Sequence, residues 1–163
     1  MTEARLIDIQ DLPPLLAPEA RLLGLDVGTK TVGMALSDIT RSIATPFDTI
    51  RRTKLTPDAK TIRKVIEANR VGALVIGFPL NLDGSEGPRA QSTRAFARNL
   101  ALHIAVPMVF WDERLSTAAV ERHLIEADAS RKRRAQVIDR MAAAYILQGA
   151  LDRLRRLAEQ RQA

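Results

Sequence analysis

"LLGLDVGTKTVGMALSD", residues 22–38, carries the pattern on which the fold turns. Leu22, Leu23, Leu25 and Val27 read as a buried strand, with Asp26 set among them. Gly28, Thr29 and Lys30 make a turn, and a second strand-like run follows from Val32 to Leu36. On a period of two, Asp26 shares a face with Leu22 and Gly24, opposite Leu23, Leu25 and Val27. Burying an unpaired carboxylate costs several kcal/mol, comparable to the stability of a small domain. Asp26 therefore needs a reason: a cap on the adjoining turn, a basic partner, or a cation.

The rest of the chain narrows the setting. At 163 residues it fits one domain with a real core, residues 21–158, preceded by a Pro-rich arm (1–20) and followed by a short tail (159–163). The arm has three prolines and no sustained period, so it is expected to be mobile. A 46% hydrophobic fraction argues against disorder, and no apolar run approaches the ~20 residues of a membrane span. Glu3, Asp8, Asp11 and Glu19 in the first twenty residues do not suit a secretory signal. With no cysteine there are no disulfides or thiolate metal sites, which fits a cytoplasmic location. The net charge of +6 invites a polyanionic partner. Residues 131–163 hold nine Lys or Arg against three acids, whereas residues 1–130 are balanced, so the surplus belongs to the C-terminal segment. A solvated helix face is the plain alternative.

Strands are expected at 22–27, 32–37, 43–50, 72–80 and 107–111, with Pro46 pushing the third towards a sheet edge. Helices are expected from Thr56-Pro57-Asp58 onward, over 89–104, from Ser116 or Thr117 to Ala127, and over 135–158 after an "ASRKRR" link. This order describes an α/β domain with a mixed five-stranded sheet, three antiparallel strands then parallel ones, flanked by helices. It resembles the RNase H-like nuclease fold.

Three further acids draw notice. Asp112 and Glu113 lie where "PMVFW" ends, at the carboxyl edge at which α/β sheets place their sites. Adjacent strand residues face opposite ways, so only one of them can easily join Asp26; for either acid the plain alternative is a surface pair with Arg114 or stabilisation of the following helix start. Asp139 lies on the helical face of Ala142, Ala143, Ile146 and Ala150, an apolar and alanine-rich stripe. A Lys or Arg would satisfy it, but a cation shared with Asp26 and Glu113 would satisfy all three. Carboxylates brought together without a cation repel, and one tends to protonate. Hard oxygen donors and no Cys point to Mg²⁺ or Mn²⁺. His103 and His123 sit on helical patterns far apart and read as ordinary histidines.

"GLDVGTKTVGMALSD", "VIGFPLNLDGSEGPRA", "VFWDERLSTAAVE" and "VIDRMAAAYILQ" resemble, in order, the motifs of the YqgF (RuvX) family, over about residues 21–152. That family of bacterial proteins is associated with pre-16S rRNA cleavage and with Holliday-junction resolution. The resemblance implies a metal-binding catalytic set of Asp26, Glu113 and Asp139, with Asp112 the alternative to Glu113. It also marks Gly28, Thr29 and Lys30, and Pro79, Asn81, Asp83 and Gly84 in the loop after the fourth strand. Many RNase H-like nucleases carry an acid at the end of that strand, where this chain has Gly77-Phe78-Pro79. The third carboxylate must then come from "DER", and the longer side chain favours Glu113.

The expected chemistry is phosphodiester hydrolysis with two ions about 3.5–4 Å apart. Lys30, Arg114 and Asn81 would meet the nucleic acid beside the Gly28–Thr29 turn, and Arg131, Lys132, Arg133 and Arg134 would track its backbone. The partner is an rRNA precursor or a branched DNA, the protein a monomer or a homodimer, and no membrane is involved. Four Phe, one Trp and one Tyr offer few platforms for stacking bases, which favours recognition of backbone shape. Two other classes compete. "DVGTK" also resembles the phosphate loop of actin-like ATPases, but those use two such domains and twice the length. A non-catalytic RNA-binding assembly factor would keep the fold, though it leaves the acidic set unexplained.

Overall fold

A computed structural model describes residues 5–115 and 131–162, with the side chains of the last helix described over 140–161. The expected helix from Ser116 or Thr117 to Ala127, with His123, lies outside the described residues. The strands are β1 (Leu6–Ile7), β2 (Arg21–Val27), β3 (Thr31–Ser37), β4 (Ala44–Arg51), β5 (Val71–Phe78) and β6 (Met108–Asp112). The helices are α1 (Leu55–Ala68), α2 (Pro88–Leu100) and α3 (Arg131–Gln162).

One mixed sheet runs β1-β6-β5-β2-β3-β4. The hairpin β2–β3 and the pair β3–β4 are antiparallel, whereas β2–β5, β5–β6 and β6–β1 are parallel. The architecture expected from the sequence is present with six strands instead of five. The sixth, Leu6–Ile7, comes from the stretch read as an arm: it pairs with Met108–Val109, and Leu12 behind it is fully buried. Two residues of strand carry no period that a sequence could show. At the opposite edge lies β4, where Pro46 faces Ala35 beside a register shift. That is the edge position its missing N–H demands.

Alternation along β2 divides the core into two layers. Leu23, Leu25 and Val27 join Ala59 and Ile62 of α1 and Phe96, Ala97 and Leu100 of α2 on one face. Leu22 belongs to the other face with Ala143, Ile146, Leu147, Ala150 and Leu151 of α3. The alanines let α3 lie low on the sheet, and Gly24 completes the fit. A Cβ there would stand 2.8 Å from Leu147 Cβ and 3.0 Å from the Ala143 carbonyl oxygen.

Helix α3 also begins earlier and ends later than the expected 135–158, because "RKRR" is its first turn and not a link. Its direction matters for the site. Gln148 Nε2 donates to Ser42 O at 3.0 Å, and Arg155 Nη2 to the same oxygen at 3.3 Å. The C-terminal half of α3 thus lies at the end of β3, and its N-terminal half runs towards the β2–β3 turn.

Candidate active site

Asp26 sits on the α3 face of β2, only 4% exposed, opposite Gly33 of β3. On its other side β2 pairs with β5 through Leu25 and Ile76, so the next step along both strands brings Asp26 beside Gly77. The face above Gly77 is occupied from two directions. A Cβ at Gly77 would fall 2.4 Å from Ile146 Cδ1 and 2.8 Å from Glu113 Oε1. Glu113 opens a short 3-10 turn, Glu113–Leu115, directly after β6. Its carboxylate reaches back across β6 to lie over β5, on the same face as Asp26 and next to it in the sheet.

Asp112 goes the other way. It pairs with Phe78 in the sheet register, one residue beyond Gly77–Trp111, and its side chain is committed to Arg114. Arg114 Nη2 donates to Oδ2 at 2.7 Å, its Nε to Oδ1 at 3.0 Å, and its backbone N–H to Oδ1 at 3.0 Å. These bonds, the side-chain one foremost, hold the Asp112 carboxyl below the usual carboxylate range. Strand β6 ends at Asp112, so the different directions of the two acids come from the 3-10 turn that Glu113 opens. Glu113 meets the Asp26 face, and Asp112 ties down Arg114.

Asp139 lies on α3 one turn before Ala143, the residue that touches Gly24. The run of α3 carries that turn past Gly24 towards the Asp26 end of β2. Its side chain, with those of Arg131, Lys132, Arg133 and Arg134, lies outside the described residues. Among the described residues no three His, Asp or Glu groups form a metal cluster. The described part of the set is therefore Asp26 and Glu113.

The rim is built from two loops. In the β2–β3 turn, Gly28 N–H donates to Thr31 O at 2.8 Å, while Thr29 and Lys30 are exposed. Arg52 clamps this turn: its Nη1 donates to Gly28 O at 2.6 Å and its N–H to Lys30 O at 2.8 Å. The guanidinium also lies 5.1 Å above the Phe96 ring. Sequence reading missed Arg52, since "RR" after a strand carries no mark of a turn 24 residues away.

The loop after β5 folds on itself. Asn81 Nδ2 donates to Ser85 Oγ at 3.0 Å, and Ser85 Oγ to Asp83 Oδ1 at 2.6 Å, which lowers the Asp83 pKa. Gly84 takes φ +88°, a left-handed conformation suited to glycine. Arg114 Nη1 donates to Leu82 O at 3.2 Å, fastening this loop to the end of β6. Asn81, Asp83 and Gly84 thus shape a loop beside the acids, and Arg114 acts as its fastener while staying exposed. His103 is half-buried in the turn after α2, away from these groups.

The RuvX model, described as a Holliday junction resolvase, matches residues 20–153. The chain belongs to the RuvX family. A Methylocella silvestris RuvX-family relative named "Putative pre-16S rRNA nuclease" is 57% identical over 154 residues, covering 94% of this chain and 96% of that one. A protein of the same name from Paramagnetospirillum magneticum is 60% identical over 148 residues, covering 85% and 96%. Among solved structures, Thermus thermophilus RuvC in complex with a Holliday junction substrate aligns with TM-score 0.53 at 13% identity, over 83% of this chain and 96% of that one. The yeast mitochondrial Holliday junction resolvase Ydc2 aligns with TM-score 0.54 at 12% identity, over 94% and 86%. At such identities the likeness establishes the RNase H-like fold of this RuvX-family chain and nothing finer.

Proposed function

We propose that this protein is a divalent-metal-dependent nuclease that processes the 5′ end of pre-16S rRNA. The observation that supports the reading is the Glu113 carboxylate over Gly77, the position next to Asp26 in the sheet, at the carboxyl edge of the parallel strands, in a chain whose relatives are named nucleases.

The donor chemistry fits a hard cation. Both described acids offer oxygen only, and Asp26 is buried beside a second carboxylate. Asp26, Glu113 and Asp139 would hold Mg²⁺ or Mn²⁺. When bound, such an ion supplies an activated water and charge stabilisation at the scissile phosphate.

The remaining work falls to the chain itself. Asp26 is fixed by its place in a central strand, so its carboxylate does not have to be ordered when substrate binds. Glu113 sits on a short turn and approaches from β6, which leaves the side facing the loops open to a phosphodiester. Lys30 and Thr29 project from a turn that Arg52 holds in shape, where a cation and a hydroxyl can meet phosphate oxygens. Asn81 lies on the facing loop, which Arg114 fastens. Arg131, Lys132, Arg133 and Arg134 supply the basic start of α3 for the outgoing strand.

The RuvX model's description favours a second substrate, a branched DNA. Purified protein, given a pre-16S rRNA fragment and a DNA four-way junction in parallel with Mn²⁺, separates the two. The expected result is cleavage of the RNA precursor, abolished in Asp26→Asn. Junction cleavage alone would overturn the rRNA assignment. Binding without cleavage of either, unaffected by Asp26→Asn, would make the protein a non-catalytic assembly factor.

A further inference from the structure

The basic surplus at the C-terminus extends past residue 153, where the family match ends, and the geometry points to a use for it. Arg155 and Arg161 of α3 face Arg41 across a cleft of about 490 Å³, with Thr40 and Ser42 on one wall and Pro13 and Leu16 on another. We propose that this cleft is a second binding site for nucleic-acid backbone, engaging phosphates of the same substrate away from the acidic pair.

Each guanidinium is held in place by main-chain carbonyls, two for Arg41 (Ala20 O and, at 3.4 Å, Ala17 O) and one each for Arg155 and Arg161. Arg41 Nη1 donates to Ala20 O at 2.7 Å, Arg155 Nη2 to Ser42 O at 3.3 Å, and Arg161 Nη2 to Gln10 O at 3.3 Å. A guanidinium has five N–H donors, so each head is oriented with donors left for a ligand. Arg41 itself adopts φ 55°, a left-handed conformation uncommon for a side chain of its size, in the tight loop 38–43. Among the described residues no Asp or Glu lines the cleft. The nearby Asp38 is engaged by its own loop, accepting from the Ser42 and Ile43 N–H groups and from the Thr40 hydroxyl. Asp152 stands 3.9 Å from Arg155 on an exposed flank and also accepts from Gln148. Three fixed cations, two hydroxyls and an apolar wall suit phosphate and sugar together.

The position fits a strand that also visits the acids. From Ala143, beside Gly24, to Arg155 is about 18 Å along α3 at ~1.5 Å per residue. That corresponds to about five phosphates on one strand of a duplex. Pro13 and Leu16 form a wall of the cleft, which gives the N-terminal stretch a role in binding. The proposal rests on the nuclease reading for its substrate, but its test does not require cleavage.

The experiment measures binding of a labelled 30-nucleotide RNA in EDTA across a salt series. Wild type is compared with Arg155→Gln/Arg161→Gln, with Arg155→Lys/Arg161→Lys, and with Arg63→Gln/Lys64→Gln, a charge-matched control on α1. Loss of two phosphate contacts should flatten the slope of log K against log salt by about 1.4, at ~0.7 per contact on a single strand. Affinity in the Gln pair should fall about tenfold in moderate salt, and the Lys pair should retain most of the slope. A control that loses as much, or a Gln pair that binds and titrates like wild type, would overturn the proposal. Wild-type cleavage assays report separately on the nuclease reading, so the two can fail independently. Arg155 and Arg161 are exposed, and thermal melts of each paired variant exclude misfolding as the cause.

Discussion

Glu113 Oε1 lies 2.8 Å from the point where a Cβ on Gly77 would stand. The relation accounts for the one place where the sequence departs from many RNase H-like nucleases, the missing acid at the end of β5. A side chain at 77 and the Glu113 carboxylate compete for one space above the sheet. With glycine there, a carboxylate can be delivered from the neighbouring strand instead. Gly77→Ala should therefore displace Glu113, lowering cleavage by about 10- to 100-fold, the range seen when support for a metal ligand is lost. Overpacking against Ile146 should add a stability cost of about 1–3 kcal/mol. Because both changes act on one carboxylate, Gly77→Ala/Glu113→Gln should be no slower than Glu113→Gln alone. Multiplicative losses in a kinetic double-mutant cycle would show that Gly77 acts through something else.

Adjacent acids should behave oppositely. Glu113→Gln is expected to reduce cleavage by at least about 100-fold, the scale on which a preorganised charged group contributes. Asp112→Asn keeps its shape and weakens an ion pair with Arg114, itself exposed, so cleavage should remain within about fivefold of wild type. Its visible effect should be a looser loop 79–87, read as faster amide exchange at Asn81 and Ser85, whose mutual bonds rely on Arg114 gripping Leu82. Equal rate losses in the two variants would remove the distinction drawn between the two faces.

The chain's own residues made much of this legible. Period-two alternation puts Asp26 on the sheet face that α3 covers, and the alanine stripe marks the side of α3 that packs on it, because burial dictates both patterns. The choice between Asp112 and Glu113 stayed open in the sequence, since side-chain reach from a strand end depends on the turn that follows. Strand β1 was hidden because two residues have no period, and it is held by pairing with β6, a partner about a hundred residues away. Arg52 and Arg41 were invisible for a related reason. Each acts on main-chain carbonyls of a distant loop, and a carbonyl has no sequence identity. "ASRKRR" read as a link ahead of the apolar stripe; in the structure Arg131–Arg134 open a 32-residue helix whose described packing lies further along.

Asp38 should make stability depend on acidity. Its carboxylate accepts from the Thr40 hydroxyl first, then from the Ile43 and Ser42 N–H groups, and these hold its pKa far below the ordinary value. A carboxyl depressed in the folded state adds stability above its unfolded pKa of ~3.9, and that stability is lost as pH falls below this value. Asp38→Asn should thus cost about 1 kcal/mol at pH 7, in line with losing a loop-capping side chain. In urea unfolding the gap to wild type should hold steady down to about pH 4.5 and then narrow as pH falls below ~3.9. A gap independent of pH would assign the loss to shape and not to charge.

Binding of a divalent ion should be readable without any substrate. If Asp26 and Glu113 hold Mn²⁺ or Mg²⁺ in the folded state only, the ion stabilises by mass action, about 2.7 kcal/mol at a hundred times its dissociation constant. For a chain of this length that corresponds to a rise in Tm of about 5–10 °C. Asp26→Asn and Glu113→Gln should each lose most of the rise, whereas Asp112→Asn should keep it, since that carboxylate is turned towards Arg114. Ca²⁺ should raise Tm as well, because oxygen donors accept it, while its longer bonds suit the chemistry poorly. A melting temperature unmoved by any of the three ions in wild type, at concentrations up to several tens of millimolar, would leave Asp26 and Glu113 without a cation and would remove the basis for metal-dependent cleavage.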